Sequence, residues 1–338
     1  MSNLLDVAKA AGVSPSTVSR VVREDPNVRA STRERVLEVM QELNYIPNAL
    51  ARGFKRSRST FLSLIVADVT SPFFAAVARG AEDEARDAGY SLVLSNSDET
   101  SSLEALHLRA VGERRVGGVV VTPTEEAAKS IRRYLPEETP VVLLDSRVDI
   151  ARAHTVTCDT ETGVEQLVTH LRELRHERIA LVGGLTQSAN WQQRHAGYAR
   201  AMGEQAESAL VHPVGWSYEA GRTGGRLLLD GAHLPDAVIA ANAQVCLGLL
   251  DELIGSGVSV PEDIGVAAVD DPFPESLFLP RLTVVNQPGY DMGRKAVEIL
   301  VQHLEAEGDV VPLPQHIVFP SALRIGTSCG EAIPRRID

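Results

Sequence analysis

A chain of 338 residues with 44% hydrophobic content is too long for one ordinary domain and rich enough in apolar residues for sizeable cores. No apolar run reaches the roughly 18 residues that a membrane-spanning helix needs, and nothing like a secretory leader precedes Leu4, so a cytoplasmic protein is expected. A net charge of −12 argues against a chain that meets nucleic acid over its whole surface.

The first sixty residues depart from that acidity. They hold ten Lys or Arg against six Asp or Glu, a local charge of +4, which leaves −16 for the rest. Leu5, Val7, Ala8 and Ala11 recur at helical spacing, so a first helix is predicted from Leu4 to about Ala11. Gly12 supplies a permissive turn. Ser14 is a good N-cap and Pro15 fits the first helical position, where its missing N–H costs nothing. The second helix is predicted from Pro15 to about Arg23, with Val18, Val21 and Val22 inward. Ser14, Pro15, Ser16, Thr17, Ser19 and Arg20 are left outside. Short polar groups and one Arg near a helix N-terminus suit base edges and phosphates in a major groove. A third helix is predicted from Ser31, with Ser31 and Glu34 as a capping box, to about Asn44. Val36, Val39, Met40 and Leu43 would close a small three-helix core.

Pro47 and an Asn48 cap open a short basic arm, Asn48-Ala49-Leu50-Ala51-Arg52-Gly53-Phe54-Lys55-Arg56. It is too short to be a stable helix alone and is expected to order beside a partner copy on DNA. Asn48, Leu50, Arg52, Phe54 and Lys55 are its candidate DNA contacts. An apolar residue flanked by basic ones, here Phe54, is the arrangement that wedges between base pairs in a minor groove. Only this end of the chain is then expected to approach phosphates.

From Thr60 the chain alternates strands and helices. FLSLIVA, YSLVLSN, VGGVVVT and PVVLLD read as buried parallel strands, with helices starting near Ser71-Pro72, Ser102 and Glu125. RIALVGG, a strand before His212, DAVIAAN, DIGVAAVDD and LTVVNQ form a second set. Its helices start near Thr160, Asn190, Tyr218, Asn242 and Asp291. This pattern predicts two doubly wound α/β lobes. Ligands of open parallel sheets sit beyond the strand C-terminal ends, so two facing lobes place a small molecule between them. The polar residues at those ends are Asp68, Thr122, Asp145, Asn242 and Asp270, and Arg194 lies early in a helix of the second lobe. Asn242 is also a natural N-cap.

No chemistry of turnover is legible. Asp270 and Asp271 are paired carboxylates without a metal or nucleophile beside them. Gly183-Gly184 is not a dinucleotide fingerprint, and no phosphate loop occurs. Cys158, Cys246 and Cys329 are far apart, and the nine His show no ligand spacing. No enzyme activity, metal or cofactor is expected.

DVAKAAGVSPSTVSRVV, NYIPNALAR, TSPFF, VTPT, QRHAGYARAM, AANAQVCLG, AAVDD and LTVVNQPGYDMGRKAVEIL closely resemble the lactose-repressor (LacI/GalR) family of transcription regulators. The resemblance runs from Leu4 to about Thr327. It implies an α/β protein: a helix-turn-helix head over residues 1–46, a hinge helix over 47–59, and a core over 60–338. That core would have two lobes of periplasmic-binding-protein type, about 60–157 with 289–318 and about 158–287 with 319–331. It also implies a repressing homodimer on a near-palindromic operator, tuned by a small molecule. By resemblance Asp145, Arg194, Asn242, Asp270 and Gln287 fall on effector-contact positions. Trp216 falls where an aromatic packs on the ligand, and Phe73 and Phe74 fall near the cleft. Carboxylates, an amide and an Arg around one aromatic face suit a hydroxyl-rich ring, so a sugar is the first candidate effector and a purine or nucleoside the second. A sugar-binding transport component is the remaining reading. Two positions depart from the family: the arm carries Phe54 after Gly53 where Leu is usual, and Ala243 replaces a frequent Asp. No leucine heptads follow Gly326, so a dimer without a tetramerising coiled coil is expected.

Overall fold

The computed structural model describes residues 3–22, 25–45, 59–146, 148–205, 210–273, 280–306 and 312–330. The chain divides into two compact units, residues 1–59 and 60–338.

In the first unit, α1 (Leu4–Ala10) begins with a capping box. The Asn3 side chain accepts from the N–H of Leu5 and of Asp6, and the Asp6 carboxylate accepts from the N–H of Asn3 at 2.8 Å. Gly12 turns the chain at φ +65°, and α2 (Pro15–Val22) follows. α3 (Ala30–Glu42) departs from expectation at its start. It begins before Ser31, with Arg29 in the cap position and no side-chain cap. Ser31 is already inside the first turn, so the Ser31–Glu34 capping box does not form. The loop is held instead by Arg33, whose guanidinium donates to the Asp25 carbonyl at 2.7 Å. Val7, Val18 and Val36 are fully buried at the centre, each worth roughly 1.5–3 kcal/mol of burial. Leu5, expected inward, is 64% exposed.

The second unit holds two six-stranded sheets. The first lobe contains β1 (Phe61–Val66), β2 (Ser91–Asn96), β3 (Gly118–Val121), β4 (Val141–Leu144), β5 (His154–Asp159) and β11 (His316–Pro320). Their order is β11-β5-β4-β3-β1-β2, parallel throughout. Helices α4 (Pro72–Asp87), α5 (Ser101–Arg114), α6 (Ala127–Tyr134) and α11 (Gly289–Glu305) cover it. The second lobe contains β6 (Ile179–Val182), β7 (Val211–His212), β8 (Ala237–Ala240), β9 (Gly265–Val269), β10 (Thr283–Asn286) and β12 (Ala322–Arg324). Their order is β12-β10-β9-β8-β6-β7, parallel except for β12 against β10. Helices α7 (Thr160–Glu173), α8 (Ala189–Met202), α9 (Tyr218–Leu229) and α10 (Ala243–Gly255) cover that sheet.

The chain passes between lobes three times: from β5 into α7, from β10 into α11, and from β11 into β12. The first and third passages lie about two residues beyond the expected boundaries, because β5 and β11 pair to Asp159 and Pro320. β5, β11 and β12 were not legible as strands. Thr155 and Thr157 interrupt the apolar run of β5, yet both are buried, with Thr155 satisfied by His316 at 3.0 Å. In the first lobe, α4 and α11 touch backbone to backbone at Gly80 and Gly293, where a Cβ would overlap the facing carbonyls of Tyr290 and Val77. No described helix is long and apolar enough to cross a membrane.

Candidate functional site

Two sets of residues stand out, one in each unit. In the first unit the start of α2 gathers three hydroxyls. Ser14 Oγ accepts the Thr17 N–H at 3.2 Å and lies 2.7 Å from Ser16 Oγ and 2.8 Å from Thr17 Oγ1. Pro15, Ser16 and Arg20 are exposed, and Thr17 and Ser19 are half-buried. Arg20 lies 3.8 Å from Asp25, whose carboxyl is held below the usual range chiefly by hydrogen bonds from Asn27, with Arg20 adding to the effect. A helix N-terminus with exposed hydroxyls and one guanidinium is suited to an anionic backbone. Asn48, Leu50, Arg52, Phe54 and Lys55 lie outside the described residues.

In the second unit the strand ends converge on a cleft between the lobes. The backbone there is unusual: Glu99 after β2, Asp145 after β4 and Asp270 after β9 all have left-handed φ, at +53°, +66° and +61°. Such positions cost on the order of 1–3 kcal/mol each for non-glycine residues and cluster where function holds them. The Asp145 carboxylate accepts from Asn190 Nδ2 on α8, across the cleft, at 2.7 Å. Asp270 accepts from the N–H of Gln287 at 3.1 Å and from its Nε2 at 2.8 Å. Arg194 is 4% exposed, and its Nη1 donates to the Ala241 carbonyl at 2.6 Å. Its guanidinium lies 5.0 Å from the centroid of the Trp216 ring, a cation–π arrangement.

Asn242 does two jobs at once. It caps α10 by accepting the Val245 N–H at 2.8 Å, and its Nδ2 donates to the Trp216 carbonyl at 2.9 Å. Ala243 is the buried first residue of that helix. Asp68 accepts from the N–H and hydroxyl of Thr70, and Gln244 Nε2 of the second lobe donates to that hydroxyl at 3.2 Å. Phe73 and Phe74 pack edge to face at 4.9 Å within the first-lobe core, so their rings support the cleft wall.

The electrostatics are strongly acidic. Burial, then the charge of Asp270, pushes Asp145 up to about 6 against the pull of Arg194. Burial also raises Asp270, again opposed by Arg194. Glu99 is exposed as a residue, yet the protein atoms crowding its carboxyl and the charge of Asp145 push it up to about 7. Cys158, at the end of β5, is driven to about 12 by burial and the same carboxylates, so it stays a thiol. Asp271 turns elsewhere: its carboxylate binds the Phe273 N–H at 2.8 Å and the guanidinium of Arg324.

Five buried side-chain atoms lack a partner among the described residues, and three of them, Thr122 Oγ1, Arg194 Nε and Gln287 Oε1, belong to these strand-end and cleft residues. Buried polar groups are nearly always satisfied, so three unpartnered atoms on these strand-end and cleft residues stand out. No group of three or more His, Cys, Asp or Glu able to hold a metal occurs among the described residues. Sequence reasoning missed Glu99, Asn190 and Gln244. The strand-end rule that found Asp145 applies equally to Glu99 after YSLVLSN. Asn190 and Gln244 carried no such signal, because their partners are on the other lobe.

Comparison with known proteins places both sets in context. Residues 3–48 match the family description "Bacterial regulatory proteins, lacI family", and residues 168–329 match "Periplasmic binding protein-like domain". The chain is 32% identical to catabolite control protein A of Priestia megaterium over 323 residues, covering 94% of this chain and 97% of that protein. It is 32% identical to the ribose operon repressor of Bacillus subtilis over 302 residues, covering 89% and 91%. Among solved structures it is similar to the lac repressor dimer bound to operator and the anti-inducer ONPF. The TM-score is 0.81 and the identity 27%, with 98% of this chain and 99% of that one covered.

Proposed function

The chain belongs to the lacI family of bacterial regulatory proteins, and we propose that it is a cytoplasmic repressor whose grip on a near-palindromic operator is set by a polyhydroxylated, sugar-like molecule in the interlobe cleft. It acts as a DNA-binding homodimer, in line with the similar lac repressor, solved as a dimer bound to operator. Ser14, Pro15, Ser16, Thr17, Ser19 and Arg20 meet the groove and its phosphates, and Asn48, Leu50, Arg52, Phe54 and Lys55 meet the adjoining minor groove. Asp68, Phe73, Phe74, Thr122, Asp145, Arg194, Trp216, Asn242, Asp270 and Gln287 form and support the effector site.

One observation carries the effector reading. The buried Arg194, its guanidinium over the Trp216 ring, keeps an unpartnered Nε, and the strand-end residues Thr122 and Gln287 each keep an unpartnered buried oxygen. A ring with vicinal hydroxyls offers both donors and acceptors to such a set, and its C–H face suits the indole. The ligand acts by linkage. It binds one lobe-to-lobe arrangement better than another, and a coupling of about 1–3 kcal/mol changes operator affinity roughly 5–150-fold. A thermal-shift screen of the full chain with sugars and nucleosides tests this, because only a ligand of the folded state stabilises it by mass action. A sugar hit that is lost in Arg194→Ala supports the assignment. Hits confined to nucleosides reject the sugar.

A further inference from the structure

We infer that the end of the first lobe at which the core chain begins is a second DNA-contacting surface, where Arg114, Arg115, Arg132 and Arg133 bind duplex phosphates without reading sequence. The inference rests on the DNA-binding reading and extends it from the head and arm to the core, which sequence reasoning had left out.

Two helix ends bring the four arginines to one place. α5 ends at Arg114 and α6 at Tyr134. The helices meet backbone to backbone there, because a Cβ on Gly112 would overlap the Tyr134 carbonyl. The chain after α5 turns through Arg115, and the Gly117 N–H donates to the Phe61 carbonyl at 2.8 Å. Phe61 is the first residue of β1, two residues past Ser59, where the first unit ends. The arginines therefore flank the point where the arm enters the core. This is the N-terminal end of the parallel strands, opposite the strand ends that form the cleft.

The charge there is uncompensated. All four side chains are exposed, and none has a carboxylate partner among the described residues. Elsewhere on the core Arg79, Arg86, Arg200, Arg222 and Arg294 each hold carboxylates. Of the nearby acids, Glu113 is taken by Arg109 at 2.7 Å and Glu126 by Lys129 at 2.9 Å. Glu125 stands before α6, about two turns away, which leaves Glu137 and Glu138 against the four arginines. Arg133 lies 5.3 Å from the Tyr134 ring centroid, which orients its guanidinium. A cation in a last helical turn is favoured by the helix dipole, which suits Arg114, Arg132 and Arg133. Arg115 stands beyond that turn at φ +51°, a left-handed position that favours glycine, and the dipole does not account for it. The planar fork of arginine donors matches phosphate oxygens.

The duplex is within reach. Lys55, a proposed minor-groove contact of the arm, precedes Phe61 by six residues, at most about 22 Å of extended chain. DNA gripped by the arm stays at high local concentration beside the arginines, so weak phosphate contacts count. An acidic protein could also offer carboxylates to the cluster, but nothing tethers one at Phe61.

Fluorescence anisotropy of the full chain in a salt series tests the inference, on a mixed-sequence duplex and on a palindromic fragment from its own genome. Arg114→Gln with Arg115→Gln is expected to weaken binding to both about fivefold or more at low salt. The slope of log affinity against log salt is expected to become shallower by about one to two. The preference for the palindrome should stay, because phosphate contacts carry no sequence information. Arg132→Gln with Arg133→Gln is expected to do the same independently. Arg175→Gln with Arg281→Gln removes the same charge from the second lobe and is expected to leave the slope unchanged. The six positions are exposed, so the unfolding midpoints are expected to match that of the natural chain. A slope unchanged in both first-lobe pairs overturns the inference, frees the cluster for an acidic protein, and leaves the DNA-binding reading intact. A slope changed equally by the second-lobe pair, or an affinity loss confined to the palindrome, also overturns it. If the natural chain binds neither duplex, both fail.

Discussion

Asn190, in the first turn of α8 in the second lobe, donates from Nδ2 to the carboxylate of Asp145, at the end of β4 in the first lobe, at 2.7 Å. The bond ties the two walls of the cleft together and gives a buried acid one of its few donors. A second tie, Gln244 Nε2 to Thr70 Oγ1 at 3.2 Å, spans the same gap. The lobe-to-lobe arrangement therefore has named chemical contacts through which a ligand can bias it.

Asn190→Ala removes the donor and leaves a buried carboxyl less satisfied. The expected cost is roughly 1–3 kcal/mol in urea unfolding near neutral pH. The Asp145 carboxyl is expected to titrate above its present value of about 6, because a hydrogen bond that favours the charged form is gone.

Trp216→Ala takes away the face on which Arg194 lies at 5.0 Å. Ligand affinity is expected to fall about tenfold or more, read as loss of the thermal shift at a fixed ligand concentration. An undiminished shift would remove the indole from the site.

Stability should depend on pH through Asp145. Its pKa in the fold, about 6, lies above the model-compound value of 3.8. The folded state therefore holds the proton longer than the unfolded chain. The stability this contributes is fully present below about pH 4 and is lost as the pH rises through about 6, a loss of a few kcal/mol at most. Asp145→Asn cannot titrate. Relative to the natural chain, it is expected to gain stability between about pH 4 and pH 8, measured by urea unfolding at both ends.

The arm supplies a prediction from sequence alone. Phe54→Ala is expected to weaken operator binding by about 1 kcal/mol or more, on the order of other wedge contacts, measured by fluorescence anisotropy on an operator fragment. Gly53 before it costs about 1 kcal/mol in a helix relative to Ala, so Gly53→Ala is expected to strengthen binding if the arm folds on the duplex.

What was legible in the sequence follows from the range of the interactions. Gly12, Ser14 and Pro15 act within a few residues of themselves, and the structure uses them as read. Asp145, Asn242 and Asp270 end continuous apolar strands, so a rule about strand ends found them. Glu99 lies in the turn beyond β2, an edge strand whose half-exposed residues give no continuous apolar run to mark its end. Ser31 is not the cap because the helix already begins at Ala30, with Arg29 in the cap position, and composition does not reveal where that turn begins. β5 escaped because Thr155 finds a partner 161 residues away in His316. Asn190 and Gln244 likewise matter only through residues distant in the chain, and no local pattern encodes them.

The most direct measurement is anisotropy of the full chain on a palindromic fragment from its own genome, in a salt series, with and without the ligand that gives the largest thermal shift. Binding is expected to exceed that to a scrambled fragment, to weaken steeply with salt, and to change roughly 5–150-fold when the ligand is added. Equal binding to both fragments at every salt concentration, or an affinity indifferent to the ligand, would contradict the coupling of a head that reads DNA to a cleft that senses a metabolite.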